Sequence, residues 1–232
     1  MLDELNSARF WFDLLQIIGI NVLLSGDNAV VIALACRNLP GRQRTWGIIL
    51  GAVGAIVLRI ILTFFAVTLL GLPWRKLVGG LLLLWIGVKL IADEEGGEGE
   101  GEAKVQASDR LWAAVRTVVV ADLVMSIDNV LGVAAAAKGS LALLVFGLVV
   151  SIPLVIAGSQ IILALIERFP VLILAGGGLL GYVAGEMIVE DAALAPWIEA
   201  TAPWLHWILP VAGIVAVIGV AKWVQRRQVA SS

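Results

Sequence analysis

Apolar runs of about twenty residues recur along this chain, and that is the length of helix needed to cross the roughly 30 Å hydrocarbon core of a bilayer. Seven runs can be read, at roughly 11–36, 46–71, 74–92, 111–137, 141–166, 170–189 and 205–224. Hydrocarbon offers no water to satisfy backbone N–H and C=O groups, so segments this apolar cross as helices. The expected fold class is an all-α polytopic membrane protein with seven transmembrane helices. Composition agrees: 60% of the residues are hydrophobic and 15% charged, where soluble domains carry about 25% charge. Trp11, Trp46, Trp74, Trp112, Trp207 and Trp223 stand near the span ends, as interfacial anchors do. The opening "MLDELNSARF" has acids and no basic n-region, so the first helix is expected to stay rather than be cleaved. A net charge of −2 with no basic patch argues against a nucleic-acid partner, and the single Cys36 excludes an internal disulfide.

Orientation follows from the distribution of Lys and Arg. With the N-terminus outside, the inner side collects Arg37, Arg42, Arg44, Lys104, Arg110, Arg168, Arg226 and Arg227, and the outer side Arg9, Arg75, Lys76 and Lys138. The last loop, "EDAALAPWIEATAPW", is acidic without Lys or Arg and belongs outside. The loop "DEEGGEGEGEAKVQASDR" at 93–110 then faces the cytoplasm. Its glycine and glutamate density cannot build a core and predicts a flexible tether.

Within this apolar background two polar stretches repeat. Asn21, Ser25, Asp27 and Asn28 align with Asp122, Ser126, Asp128 and Asn129 at one offset of 101 residues. Further on, "GGLLLLWIG" from Gly79 echoes "GGLLGYVAG" from Gly177 at an offset of 98, and Asp93 and Asp191 match at the same spacing. The chain therefore divides into repeat 1 at 10–92 (helices 1–3), the acidic loop at 93–110, repeat 2 at 111–191 (helices 4–6) and a seventh helix at 205–225. Three helices per unit is an odd number, so the second unit must enter the membrane from the opposite side. The result is an inverted repeat, whose substrate site lies near the midplane between the halves. Asp27 and Asp128 stand 16 to 17 residues into helices that run in opposite directions, so both are expected near mid-membrane.

An ionised carboxylate facing lipid is costly, and intramembrane acids normally face a cavity or a partner. At helical spacing Asn21, Ser25 and Asn28 share a face, as do Asp122, Ser126 and Asn129. The donor set is three carboxylates (Asp27, Asp122, Asp128), three amides (Asn21, Asn28, Asn129) and two hydroxyls (Ser25, Ser126), with no histidine or thiol. An all-oxygen set suits hard divalent ions such as Mg²⁺, Ca²⁺ and Mn²⁺, carried as substrate rather than as a resident cofactor. The structural alternative is that these groups hydrogen-bond between helices and hold the bundle together. Arg59 is expected to be a counter-charge to an acid. Glu186 is either a further ligand or proton carrier, or a partner of Arg59 or Lys89. Nothing resembles a nucleophile–base pair or a metalloprotease helix, so an enzyme is not expected.

The stretches "LLSGDNAVVIAL" and "VADLVMSIDNVLGVAAAA" closely resemble the TerC family of integral membrane proteins, in its branch of YjbE-like metal transporters. The resemblance covers about residues 10–225 and implies a bacterial inner-membrane protein related to the LysE-like exporters. Members are associated with manganese efflux, and the family name comes from tellurium-resistance operons. The motif positions it carries over are Asp27, Asn28, Asp122, Asp128 and Asn129; Asn21 departs from symmetry by standing where Asp122 stands in the other half. The expected function is export of a divalent cation, Mn²⁺ first, by alternating access, with protons as counter-ion and the bilayer as partner; a homo-oligomer fits this picture. The alternative is a membrane accessory or scaffold protein that delivers metal, or serves a tellurium-type stress response, without transporting.

Overall fold

The computed structural model describes residues 14–20, 26–65, 73–92, 107–136 and 141–231, and for Asp128 and Asn129 it describes the backbone only. Every regular element among the described residues is a helix: α1 (residues 14–20), α2 (Gly26–Cys36), α3 (Gly41–Phe64), α4 (Arg75–Ala92), α5 (Ala107–Ala136), α6 (Leu141–Arg168), α7 (Val171–Val189), α8 (Ala195–Thr201) and α9 (Leu205–Ser231). Four of them, α3, α6, α7 and α9, are long and apolar enough to cross a membrane. The other three expected spans carry weaker signals for specific reasons. Arg75, Lys76 and Lys89 interrupt the apolar run of α4, and in α5 the side chains are described only to Ile127, a part that carries Asp109, Arg110, Arg116 and Asp122. In the first span, residues 21–25 lie outside the described residues, so Asn21 and Ser25 do too.

Two helix starts differ from the sequence expectation. The third helix opens at Gly41 rather than near 46, because the Pro40 carbonyl accepts from the Gln43 and Arg44 N–H groups and so begins the first turn. The fifth opens at Ala107, inside the stretch expected to be tether, with Asp109 in its first turn, where a carboxylate complements the positive end of the helix dipole. Residues 93–106 of the tether lie outside the described residues. The short α8 falls in a segment expected to be loop.

Glycines report how the helices run past one another. A Cβ on Gly47, Gly51 or Gly54 of α3 would press on Leu111, Val118 or Val119 of α5, so these two helices run parallel. Gly80 lies against the Ala184 carbonyl and Gly87 against the Gly177 carbonyl, so α4 and α7 run antiparallel. The α7–α9 contact is closer still and also antiparallel: Gly181 faces the Gly213 backbone and Gly185 the Leu209–Pro210 backbone, with no room for any side chain. Small residues that let backbones approach are how helices bind one another without a hydrophobic driving force.

The core runs through the middle of this bundle, with Val31, Ile32 and Leu34 of α2, Leu83, Ile86 and Ile91 of α4, and Leu180 of α7 all buried. In α2 Val31, Ile32, Ala33 and Leu34 are buried in succession, so neighbours cover that helix all round. By contrast α3 has two faces. Val53, Val57, Ile61 and Phe64 are exposed along one stripe, while Ala52, Ala55, Ile56, Arg59 and Leu62 are buried along the other.

The ends of the bundle are tied by polar contacts. Arg44 donates to the Arg37 and Leu39 carbonyls, each at 3.1 Å, and pairs with Glu167 at the end of α6. One side chain thus satisfies carbonyls beyond the C-terminus of α2 and joins them to α6. At the opposite end, the fully buried Asp191 accepts from the Lys76 and Leu77 N–H groups at 3.0 and 3.1 Å, and from Ala193 at 2.9 Å. It caps the start of α4 from across the bundle, and Lys76 pairs with the neighbouring Glu190 at 2.9 Å. Its sequence counterpart Asp93 lies outside the described residues.

Candidate functional site

The largest fully buried side chain in the described structure is an arginine, Arg59, only 1% exposed. It sits on the inward stripe of α3, which α5 approaches closely because Gly51 and Gly54 leave room for Val118 and Val119. A charge in that position must find polar partners within the bundle. The parallel α5 supplies two, one turn apart. The guanidinium Nη2 donates to Asp122 Oδ1 at 2.7 Å and Nε donates to Ser126 Oγ at 2.9 Å. The Ser126 hydroxyl in turn donates to Asp122 Oδ2 at 2.9 Å. Asp122 is 3% exposed and Ser126 is fully buried, so the three groups form a buried network in which both carboxylate oxygens have a partner. One turn beyond Arg59, Thr63 Oγ1 donates to the Arg59 carbonyl at 2.7 Å.

Beside this network begins α2, which packs against both α3 and α5. Asp27 is in its first turn, and its Oδ1 accepts the Asn28 N–H at 2.8 Å. The charges of Arg59 and Asp122 both reach Asp27, and the helix N-terminus favours an anion at this position. Asn28 is 5% exposed, yet neither its Oδ1 nor its Nδ2 has a hydrogen-bond partner among the described residues. Leaving a buried polar group unsatisfied costs about 1–3 kcal/mol, so an amide held this way points to a partner that the described residues do not supply.

Asp27, Asn28, Arg59, Asp122 and Ser126 are thus gathered from α2, α3 and α5. The side chains of Asp128 and Asn129, six and seven residues beyond Asp122 in α5, lie outside the described residues, as do Asn21 and Ser25 altogether. No three acidic, histidine or cysteine side chains among the described residues stand close enough to hold a metal by themselves. The described set therefore offers one uncommitted carboxylate and one amide, with Asp122 already ion-paired. Glu186 and Lys89 stand apart from it. Glu186 lies one turn beyond Tyr182 on α7, and Lys89 Nζ sits 5.5 Å over the Trp85 ring.

Sequence reasoning missed two polar features. It offered Glu186 as a partner for Arg59 and read Asp122 as a metal ligand, whereas the structure pairs Arg59 with Asp122, both standing deep in apolar helices. It noted Asp191 as a repeat position without seeing the helix cap it forms.

The chain has relatives among bacterial membrane proteins over most of its length. It is 44% identical over 209 residues to the Bacillus subtilis membrane protein YjbE, covering 90% of this chain and 93% of that protein. It is 31% identical over 170 residues to B. subtilis YceF, covering 71% of this chain and 66% of that protein. It is 27% identical over 175 residues to the Escherichia coli inner membrane protein YgdQ, covering 69% and 73% respectively. No solved structure matches. The model of the integral membrane protein TerC family matches residues 6–229. With nearly its whole length accounted for in this way, the chain belongs to the TerC family and is an integral membrane protein.

Proposed function

We propose that this protein exports divalent metal cations across the membrane, with Mn²⁺ the preferred substrate, from a site that opens at Asp27 and Asn28. The observation that carries the reading is the buried Asn28 amide, unpartnered among the described residues and adjacent to a carboxylate at a helix start. An amide oxygen and a carboxylate are the hard donors Mn²⁺ takes. In this reading Asp128 and Asn129, their repeat counterparts, complete the donor set from α5, with Ser25 and Asn21 as further neutral oxygens. A cation between them would relieve both the unpaired amide and the carboxylate. When the cation leaves, a proton is the simplest replacement charge, which makes proton exchange the expected coupling.

Alternating access follows from reading the bundle as two inverted three-helix repeats and a seventh helix. The antiparallel packing of α4 against α7, with Gly87 on Gly177 at one level and Gly80 on Ala184 at another, supports that reading. So do the parallel course of α3 and α5 and the Arg44 tie between the start of α3 and the end of α6. Together these place the Arg37–Arg44 turn, the start of α5 and the end of α6 at one end of the bundle. That end carries Arg37, Arg42, Arg44, Arg110 and Arg168; we assign it to the cytoplasm, with the N-terminus outside and the C-terminus inside.

In cells lacking their own manganese exporter, the wild-type protein is expected to lower intracellular manganese, and Asp27→Ala and Asp128→Ala to abolish the effect. Export by both variants at the wild-type level would refute the site. Purified protein in liposomes separates transport from an accessory role, since an accessory protein alone moves no Mn²⁺ down its gradient.

A further inference from the structure

We infer that the outer face of the α7–α9 seam binds one anionic phospholipid, with an acyl chain in an apolar groove and the headgroup phosphate held by Arg168 and Lys222. This face lies away from the cation site, and the inference holds whichever ion the protein carries.

A groove of about 520 Å³ runs between the two helices, lined on α7 by Val171, Ala175, Leu179 and Tyr182 and on α9 by Ile214 and Ile218. That volume is in the range of sites for small organic ligands. Gly178 between these walls has no side chain to fill the groove; a Cβ there would already stand 3.3 Å from Ile214 and 3.5 Å from Ile218. The other side of the seam is taken by α4, where Gly177 meets Ile91 and Gly87 meets Val217. The groove therefore opens outward, and Val171, Ala175, Leu179 and Tyr182 are exposed along it.

Its length selects the occupant. Val171 begins α7 and Tyr182 stands three turns on, so at 1.5 Å per residue the groove is about 16 Å long. That is about half of the roughly 30 Å hydrocarbon core, the depth of one leaflet. A lipid tail fits that depth, whereas a partner's transmembrane helix would need a surface along the full span.

The Val171 end is also the basic end. Arg168 precedes Val171 by one turn of chain, and Lys222 stands one turn beyond Ile218 on the same face of α9. Because α7 and α9 run antiparallel, with Gly181 on Gly213 and Gly178 beside Ile214 and Ile218, Lys222 comes level with Val171. Arg168, Lys222 and Arg226 are all exposed, and Glu167, the acid next to Arg168, is paired with Arg44. An apolar slot one leaflet deep with cations at its interfacial mouth complements both parts of an anionic phospholipid; basic pockets at the ends of membrane helices hold such headgroups. A lipid without net charge would match the slot alone.

The test is native mass spectrometry of the protein in detergent, titrated with phosphatidylglycerol or with phosphatidylcholine of the same chains. Wild type is expected to retain one phosphatidylglycerol at least about tenfold more tightly than phosphatidylcholine, since each surface cation contributes about fivefold. The Arg168→Gln/Lys222→Gln variant is expected to hold the two lipids alike. Ala175→Phe, which fills the groove from an exposed position, is expected to weaken both. Equal retention of the two lipids by wild type, or a preference that survives in the double variant, would overturn the proposal. So would a dimer that Ala175→Phe breaks while lipid retention is unchanged, because the groove would then seat a second copy. Should Ala175→Phe fail to fold, Leu179→Ala on the same wall takes its place and is again expected to weaken both lipids. These readouts need no Mn²⁺, so failure here leaves the transport reading standing, and failure of transport leaves the lipid site standing.

Discussion

At Arg59 the apolar interior holds a charge whose every consequence depends on a partner. Removing one member of a buried, hydrogen-bonded ion pair costs about 3–5 kcal/mol because the other is left uncompensated. Arg59→Gln alone is therefore expected to lower the melting temperature in detergent sharply, and the double variant with Asp122→Asn to melt above it; equal melting of the two would mean the pair is not coupled. Asp191 makes a second residue-scale case outside the spans. Burial by itself would raise its carboxyl, but backbone N–H groups of Ala193, Leu77, Lys76 and Trp74 reverse this and hold it below the ordinary carboxylate value. A depressed folded-state value means that the stabilisation is complete above the ordinary range and is lost as pH falls through the folded value. Asp191→Asn is expected to cost about 1–2 kcal/mol at neutral pH, as a lost helix cap does. Melting curves should show the gap to wild type closing below the ordinary carboxylate range, with Lys76 and Glu190 as the nearby charged pair. A gap that stays constant into acid would contradict the cap. Trp74, at the start of α4, has a φ of 66°. This left-handed conformation costs a non-glycine residue roughly 1–2 kcal/mol, and the Asp191 bonds to Lys76 and Leu77 offset it. Neither Asp191 nor the partner of Arg59 was legible in sequence, because each contact joins positions 60 to 120 residues apart whose pairing depends on helix direction.

Helices in this bundle are specified by their contact faces. The α7–α9 seam has backbone against backbone at Gly181–Gly213 and Gly185–Leu209. A side chain at Gly181 has no soft neighbour to push aside, so Gly181→Val is expected to cost at least about 1–3 kcal/mol by overpacking. The same change at Gly219, where nothing lies within 4 Å of an added Cβ, should cost far less. Comparable melting of the two variants would contradict the seam. The glycine runs at 79–80 and 176–178 were readable as packing surfaces from sequence, since an apolar helix has few other uses for them. Spans were readable to within a few residues for α6, α7 and the start of α9. The starts of α3 and α5 were not, because Pro40 and Asp109 act through hydrogen bonds and dipoles that an apolar count ignores.

For the whole molecule, membrane residence and family follow from apolar length and from relatives matched over most of the chain. The candidate site was only half legible. Its polar residues announced themselves by standing in apolar helices, and the repeat paired them. Which acid is free and which is tied was decided by α3, a helix outside the repeated motif. The assignment of the arginine-rich end to the cytoplasm is open to a direct check. A reporter active only in the cytoplasm, fused after residue 231, is expected to be active, and one that works only outside is expected to be silent; the reverse would invert the orientation.

The central proposal is that a divalent cation binds at Asp27 and Asn28. Crystals of the protein soaked in MnCl₂ and measured at the manganese absorption edge test it most directly. An anomalous peak at coordination distance from an Asp27 carboxylate oxygen is the result expected. No peak near α2 in crystals that hold Mn²⁺ elsewhere would contradict it.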